Sequence, residues 1–130
     1  MTVPPTTTTI PVVVPPAPVC GGQLLAYATD GTYLGCITCS QYSVESIFNQ
    51  YGLYGSPYSA TSVNNQYGLY GSPYSSTSAC NPYTTSPPVI VDEAGCSYGR
   101  LSVNQYVSRS VCGILGNGAL CDELLALCAS

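Results

Sequence analysis

The sequence predicts a small, mainly β and turn-rich domain held together by disulfides, with an extended N-terminal arm and a short C-terminal helix. Three observations lead to this prediction: eight cysteines in 130 residues, a 16-residue tandem repeat rich in Tyr, Ser and Asn, and short β-branched segments beside turn signals. Such dense cysteine usage in a short chain is typical of a disulfide framework formed in an oxidising compartment.

Residues 1–19 form the predicted arm, and residues 20–130 form the predicted domain. The arm holds six prolines and five threonines and carries no charged side chain. Its prolines favour extended polyproline II geometry, and its β-branched stretch favours a strand that is added to a neighbouring subunit. The alternative is a flexible stalk with O-linked glycans on Thr6, Thr7, Thr8 and Thr9.

Two β-hairpins are predicted, at about 24–39 and 89–104, on either side of the repeats. Residues 31–42 and 95–106 match at five positions that lie 64 residues apart, among them Gly31 with Gly95. Each copy follows an apolar run with β-branched residues, and the dipeptide Asp30-Gly31 predicts a two-residue hairpin turn.

The 16-residue repeats occupy about 42–88, where two copies read YSVESIFNQYGLYGSP and YSATSVNNQYGLYGSP and a third drifts after ten residues. Each Ser-x-x-Ser-x-x-Asn stretch predicts one helical or 3₁₀ turn, with an N-cap at Ser43, Ser59 or Ser75. Gly52 and Gly68 are expected to end that turn with positive φ. Units this short are stabilised by stacking on copies of themselves.

Stacking would arrange the repeat tyrosines in ladders that fill the stack. The alternative is that they form an interface, because tyrosine combines an apolar ring with a hydroxyl. The interface candidates are Tyr42, Tyr51, Tyr54, Tyr58, Tyr67, Tyr70, Tyr74 and Tyr83. Four of these are also candidates for stacking on a glycan, namely Tyr51, Tyr54, Tyr67 and Tyr70.

All eight cysteines are disulfide candidates: Cys20, Cys36, Cys39, Cys80, Cys96, Cys112, Cys121 and Cys128. Several lie 16 residues apart, and a continuous coil of that period would bring such cysteines within disulfide reach. The alternatives are buried thiols and a zinc site at Cys36-x-x-Cys39, which lacks a second CxxC or a histidine. The sequence leaves the connectivity open.

Residues 116–130 (GNGALCDELLALCAS) predict a short amphipathic helix preceded by Asn117 and Gly118. Asp122 and Glu123 are expected in its first turn, where the helix dipole favours acids. One face would carry Leu120, Leu124, Leu125 and Cys128. Cys121 and Cys128 would lie about 10.5 Å apart along a helix, so each is expected to join the helix to the body of the domain.

Charge is scarce, with six acids, two arginines, no lysine and no histidine. This argues against nucleic-acid binding, which needs clustered Lys and Arg. The chain lacks the usual general base and metal ligand, and its adjacent acid pairs, 92–93 and 122–123, do not face each other. We therefore expect no enzyme activity, no catalytic or metal-ligating residue, and no cofactor.

The segment NQYGLYGSPYSATSVNNQYGLYGSPYSSTSACNPYTTSPPVIVDEAG resembles a group of small, uncharacterised bacterial exported proteins with tandem N-x-Y-G-x-Y-G-S-x-Y-S-x-x-S units. The resemblance covers about residues 27–106 and implies export, with no activity attached. The arm and the Cys-rich C-terminus are unlike the simplest members, which leaves room for a specialised assembly role.

These features predict an extracellular or cell-surface structural protein, a self-assembling subunit of a layer, fibre or filament. The expected partner is a second copy of the chain. The alternative is a secreted module that binds cell-envelope glycan. No transmembrane span is predicted, and the N-terminus lacks the positive region of a signal peptide, so a leader is expected to have been removed or to lie outside this numbering.

Overall fold

The computed structural model describes residues 19–113 and 116–129, so nearly all of the predicted arm, with its threonines, lies outside the described residues. The described chain contains β1 (Leu24–Tyr27), β2 (Tyr33–Cys36), β3 (Val89–Asp92), β4 (Ser97–Arg100) and α1 (Gly118–Ala129). The strands form one antiparallel sheet in the order β2-β1-β3-β4. The mainly β fold with a short C-terminal helix is thus confirmed.

The connections within the two outer strand pairs have the same geometry. In the first, the Gly31 N–H donates to the Ala28 carbonyl at 2.9 Å, and the Ala28 N–H donates to the Thr32 carbonyl at 2.8 Å. Residues 92–96 repeat both bonds, and Gly31 and Gly95 have φ of +92° and +91°, where glycine is favoured. The predicted two-residue turn is therefore wrong, because the loop has three residues and its third takes positive φ.

The two strand pairs meet through the central pairing of β1 with β3. Ala26 lies opposite Ile90 in that pairing, and these two residues are themselves 64 positions apart. Because equivalent residues face each other in this antiparallel pairing, an approximate twofold axis relates the β1–β2 pair to the β3–β4 pair. Both side chains are fully buried, so the axis passes through the core.

The repeats form successive three-residue turns, each closed by the hydrogen bond of a single 3₁₀ turn, so the expectation of one such turn in each unit is corrected to a series of separate turns along the whole unit. The Ser46 N–H donates to the Ser43 carbonyl at 3.1 Å, and the Asn49 N–H donates to the Ser46 carbonyl at 3.2 Å. Only every third residue makes this bond, so no continuous helical ladder forms. Five such turns and one added glycine, Gly55 or Gly71, make up the period of 16.

The repeat glycines are required by close packing. Gly52 and Gly68 do not have positive φ, contrary to the expectation from the sequence. A Cβ on Gly52 would lie 2.9 Å from the Val44 carbonyl oxygen, and one on Gly71 would lie 2.6 Å from the Val63 carbonyl oxygen. These turns fold back on the preceding backbone, and a hydrogen is the largest group that fits.

One row of each repeat unit faces the core. Ile47, Val63 and Ala79 lie 16 positions apart and are 0%, 1% and 0% exposed. They pack in one cluster with residues of the sheet and with Leu120 and Leu124 of α1. Successive units thus present the same position to the interior, which makes the repeats part of the domain core.

All eight cysteines form disulfides, which confirms the disulfide framework over the thiol and zinc alternatives. The pairs are Cys20–Cys96, Cys36–Cys39, Cys80–Cys128 and Cys112–Cys121. The proposal that cysteines 16 residues apart bridge each other is wrong, since no pair has that separation. As predicted, the two cysteines of α1 each join the helix to the body of the domain.

The boundaries of α1 correct two details of the helix prediction. Asn117 is the N-cap, because its Oδ1 accepts the Leu120 N–H at 3.1 Å. The helix begins at Gly118, so Asp122 and Glu123 lie beyond the first turn. Leu125 is 48% exposed and does not share the buried face, since it is rotated by about 100° from Leu124.

Replacing Gly71 with alanine should lower the free energy of unfolding by about 1–3 kcal/mol, because the new methyl group overlaps backbone oxygens that cannot move aside. The matched control is Gly118→Ala, whose Cβ would meet nothing within 4 Å. Chemical denaturation of both variants checks the prediction. Equal stability of the two variants would contradict tight packing in the repeats.

Removal of the Cys80–Cys128 disulfide by double alanine substitution should cost more than removal of Cys36–Cys39. The bridges have sequence separations of 48 and 3, and loop-closure entropy gives about 4 and about 2 kcal/mol. Denaturation midpoints of the two variants measure the difference, after alkylation has shown the wild type to lack free thiols. A larger loss for the short loop would show that chain entropy does not dominate.

Candidate functional site

Seven of the twelve tyrosines are 83–97% exposed, and we call them the exposed tyrosine set. Each is the third residue of a triplet that begins with Ser or Asn and has Gln or Pro in the middle, whereas none of the other five tyrosines follows that pattern. The members are Tyr42, Tyr51, Tyr58, Tyr67, Tyr74, Tyr83 and Tyr106.

The same hydrogen bond positions every member of the set. The Tyr51 N–H donates to Asn49 Oδ1 at 3.0 Å, and the Tyr58 N–H donates to Ser56 Oγ at 3.1 Å. The other five repeat this bond at 2.9–3.2 Å. A Ser or Asn oxygen that binds the N–H two residues later closes a compact turn, so the backbone holds each tyrosine at a defined place on the surface.

The middle residue distinguishes the core-facing turn of each repeat unit from the turns that carry the exposed tyrosine set. In the core-facing turn it is apolar and buried, as at Ile47, Val63 and Ala79, although apolar middle residues of other turns, such as Val44, stay exposed. Where it is Gln or Pro, the turn lies at the surface and the following tyrosine is exposed. The sequence contains this signal, but the expectation that tyrosines fill the stack overlooked it and is wrong for every member of the set.

Two interface candidates, Tyr54 and Tyr70, are not on this surface. Tyr70 is 7% exposed, and its hydroxyl lies 3.1 Å from Asp30 Oδ2 and 3.3 Å from Thr32 Oγ1. The Tyr54 ring packs edge-on against Tyr33 with 5.0 Å between centroids. Of the four glycan candidates, only Tyr51 and Tyr67 are therefore exposed, because Tyr54 packs against β2 and Tyr70 bonds to the loop between β1 and β2.

Tyr33 is the centre of a second, structural group of aromatic rings. Its ring centroid lies 5.1 Å from that of Tyr27, and its hydroxyl donates to Glu45 Oε1 at 2.6 Å. Burial and this hydrogen bond to a carboxylate raise the pKa of Tyr33. The group joins β1 and β2 to the first repeat unit and takes no part in the exposed tyrosine set.

A surface groove of about 490 Å³ lies between two members of the set, Tyr58 and Tyr67. Thr61, Asn65 and Leu69 contribute to its lining, which contains no charged side chain. The Asn65 side chain is already engaged, since its Nδ2 donates to the Ser59 carbonyl at 3.0 Å. The groove therefore offers two aromatic faces and their hydroxyls to a neutral ligand.

Asp92 holds the start of the described chain against the sheet. Its side chain is 2% exposed and accepts hydrogen bonds from the Tyr98 hydroxyl at 2.8 Å and from three backbone N–H groups, those of Gly21, Ala94 and Cys96. Burial opposes ionisation, but the hydrogen bonds outweigh it and lower the pKa of Asp92. The carboxylate is therefore a structural acceptor.

The same carboxylate belongs to the one cluster of three potential metal ligands within residues 19–113 and 116–129. A carboxylate oxygen of Asp92 and the sulfurs of Cys20 and Cys96 lie within 4.8 Å of one another. The two sulfurs are joined in a disulfide and offer no thiolate, the form in which cysteine binds metals. This donor set does not fit a metal ion.

Comparison of the chain with protein-family models, with curated proteins and with solved structures gives no match. Within the described residues, no helix has the length and apolar character needed to cross a bilayer.

The protein should lose stability in acid partly through Asp92. Its folded-state pKa lies below the unfolded value of about 3.9, so the stabilisation is present above that pH and is lost as pH falls through the folded pKa. Asp92→Asn should be less stable at neutral pH and show a weaker dependence of unfolding free energy on pH.

Denaturant titrations at neutral pH and at about pH 3, on either side of ordinary carboxylate titration, check this prediction. Asp122→Asn, at an exposed position of α1, is the control and should resemble the wild type. An Asp92→Asn variant with the full acid sensitivity of the wild type would show that other carboxylates, such as Asp30, dominate.

Proposed function

We propose that this protein is an extracellular structural subunit that associates with other copies of itself into a surface layer, fibre or filament and has no catalytic activity. The observation that carries the proposal is the exposed tyrosine set, in which one turn geometry presents seven rings to solvent. Isolated exposed apolar residues are ordinary, and it is the repetition of one backbone-anchored geometry at seven of them that favours a contact surface here.

Association would bury aromatic surface at low entropic cost. Fully burying a large apolar side chain contributes roughly 1.5–3 kcal/mol, and tyrosine is enriched at protein interfaces. Because each turn already fixes the tyrosine backbone, little chain freedom remains to be lost on binding. Leu53 and Leu69, 60% and 55% exposed, add apolar area beside the rings.

The scarcity of charge supports self-association. Six acids and two arginines are the only formally charged side chains, so electrostatic repulsion between copies is weak. The four disulfides are compatible with an oxidising extracellular environment, where an assembled structure must persist without repair. In this proposal, residues 1–19 add a strand to a neighbouring copy.

A second candidate function is the binding of a cell-envelope glycan. The groove between Tyr58 and Tyr67 favours it, because an uncharged cleft with two exposed rings suits the apolar face and hydroxyls of a sugar. Of the four tyrosines expected to stack on a glycan, Tyr67 and the largely buried Tyr70 line this groove, and Tyr58 is an additional ring.

The decisive experiment measures assembly by light scattering and negative-stain microscopy for three chains. We expect the wild type to form regular assemblies and a variant with Tyr58, Tyr67, Tyr74 and Tyr83 changed to serine to stay folded but monomeric. Because these rings have few contacts within the chain, far-ultraviolet circular dichroism should be unchanged.

The third chain starts at Val19 and tests the arm separately. It should remain folded, since Cys20 still bonds to Cys96, and should lose assembly if the arm supplies a strand. Assembly equal to that of the wild type would leave the tyrosines as the sole contact. A wild type that stays monomeric and binds cell-wall glycan saturably would replace the proposal with the second candidate.

A further inference from the structure

We propose that the exposed tyrosine set is a site of oxidative cross-linking, in which an extracellular peroxidase using hydrogen peroxide couples tyrosine rings of neighbouring copies. The inference rests on the proposed function, because coupling between chains requires that copies meet through this surface. It adds a covalent modification to an otherwise non-covalent assembly.

The composition directs one-electron oxidation to tyrosine. The chain has no tryptophan and no histidine, and Met1 is its single methionine. All eight cysteines are bonded in disulfides, so no thiol competes for the oxidant. The phenol rings are therefore the main oxidisable groups that remain.

Access then separates the tyrosines into two groups. Coupling joins the ring carbons next to the carbon that bears the hydroxyl, so both rings must be open to a second ring. The exposed tyrosine set meets this condition, and no hydroxyl in it makes a hydrogen bond within the described residues. The hydroxyls of Tyr33, Tyr70 and Tyr98 are instead bound to carboxylates.

The arrangement within one molecule favours coupling between molecules. The ring pairs in the described chain are Tyr27–Tyr33 and Tyr33–Tyr54, and neither contains a member of the exposed tyrosine set. Tyr58 and Tyr67 border one groove but do not form a ring pair, and the turn holds the backbone of each member. A ring presented by a second copy is therefore the favoured coupling partner.

The reaction balances with one molecule of hydrogen peroxide for each cross-link. The oxidised peroxidase removes one hydrogen atom from each of two phenols, which gives two phenoxyl radicals. The radicals form one carbon–carbon bond, and each ring then moves its displaced ring hydrogen to oxygen and regains its phenol. The two hydrogen atoms removed reduce the peroxide to two molecules of water.

The test treats full-length protein with a haem peroxidase and hydrogen peroxide after assembly has been measured by light scattering. We expect oligomers that resist both detergent and thiol reductant and that contain dityrosine. Mass spectrometry of digested oligomers should place the linked peptides at the exposed tyrosine set and leave Tyr33 and Tyr70 unmodified.

Two variants test whether the cross-links form at the exposed tyrosine set and not at other tyrosines. A chain with all seven members of the set changed to phenylalanine keeps its aromatic surface, so it should still assemble but lose the cross-linked oligomers. A matched chain with Tyr27→Phe and Tyr54→Phe should cross-link as the wild type does. Both variants are compared under the same oxidant dose.

The outcomes separate the inference from the proposed function. Assembly without cross-links, or with links that map mainly to Tyr33, Tyr70 or Tyr98, would overturn the inference and leave the proposed function standing. A wild type that neither assembles nor forms links between chains would overturn both. Cross-linked oligomers that persist in the phenylalanine variant would overturn the inference.

Discussion

The three-residue turn closed by a Ser or Asn side chain is the interaction on which the rest of this structure depends. One side-chain oxygen accepts the N–H two residues later, and the backbone closes over three residues, so a chain with little regular secondary structure still satisfies its polar groups. The remaining two positions of each turn are free to face the core or the solvent. Structure and surface chemistry are thereby specified by separate residues.

The core that these turns help to build is small, and the disulfides make up for it. Two strand pairs meet at the pairing of Ala26 with Ile90, and the repeats add Ile47, Val63 and Ala79 to the same cluster. The three repeat residues and the short strands leave long stretches of turn outside this cluster, and the disulfides constrain the chain there. Two disulfides, Cys80–Cys128 and Cys112–Cys121, fix α1 to the rest of the domain, and Cys20–Cys96 fixes the segment before β1 to the turn before β4.

One residue closes each turn and the other two are free to vary, so tyrosines can occupy the surface positions of the turns without charged residues. Tyrosine contributes nothing to the core at the seven exposed positions, yet the same triplet pattern recurs at each of them. The half-buried Tyr33 and the buried Tyr70 have the opposite role, since they use their hydroxyls to join separate segments of the chain. The proposed assembly and the proposed oxidative coupling both rest on the first group and not on the second.

The sequence by itself determined the mainly β class, the period of 16, the involvement of all cysteines in disulfides and the N-cap region of the helix, because each depends on local spacing or on cysteine chemistry. Only the tertiary structure decided which cysteines pair, since Cys20 and Cys96 meet through the β1–β3 pairing. It also decided that Gly52 is needed for close approach and that Tyr70 is buried, because backbone contact and burial depend on neighbours far along the chain. The exposed tyrosine set is an intermediate case. Its triplet pattern is visible in the sequence, but the pattern predicts exposure only once the structure has shown that each triplet forms one turn.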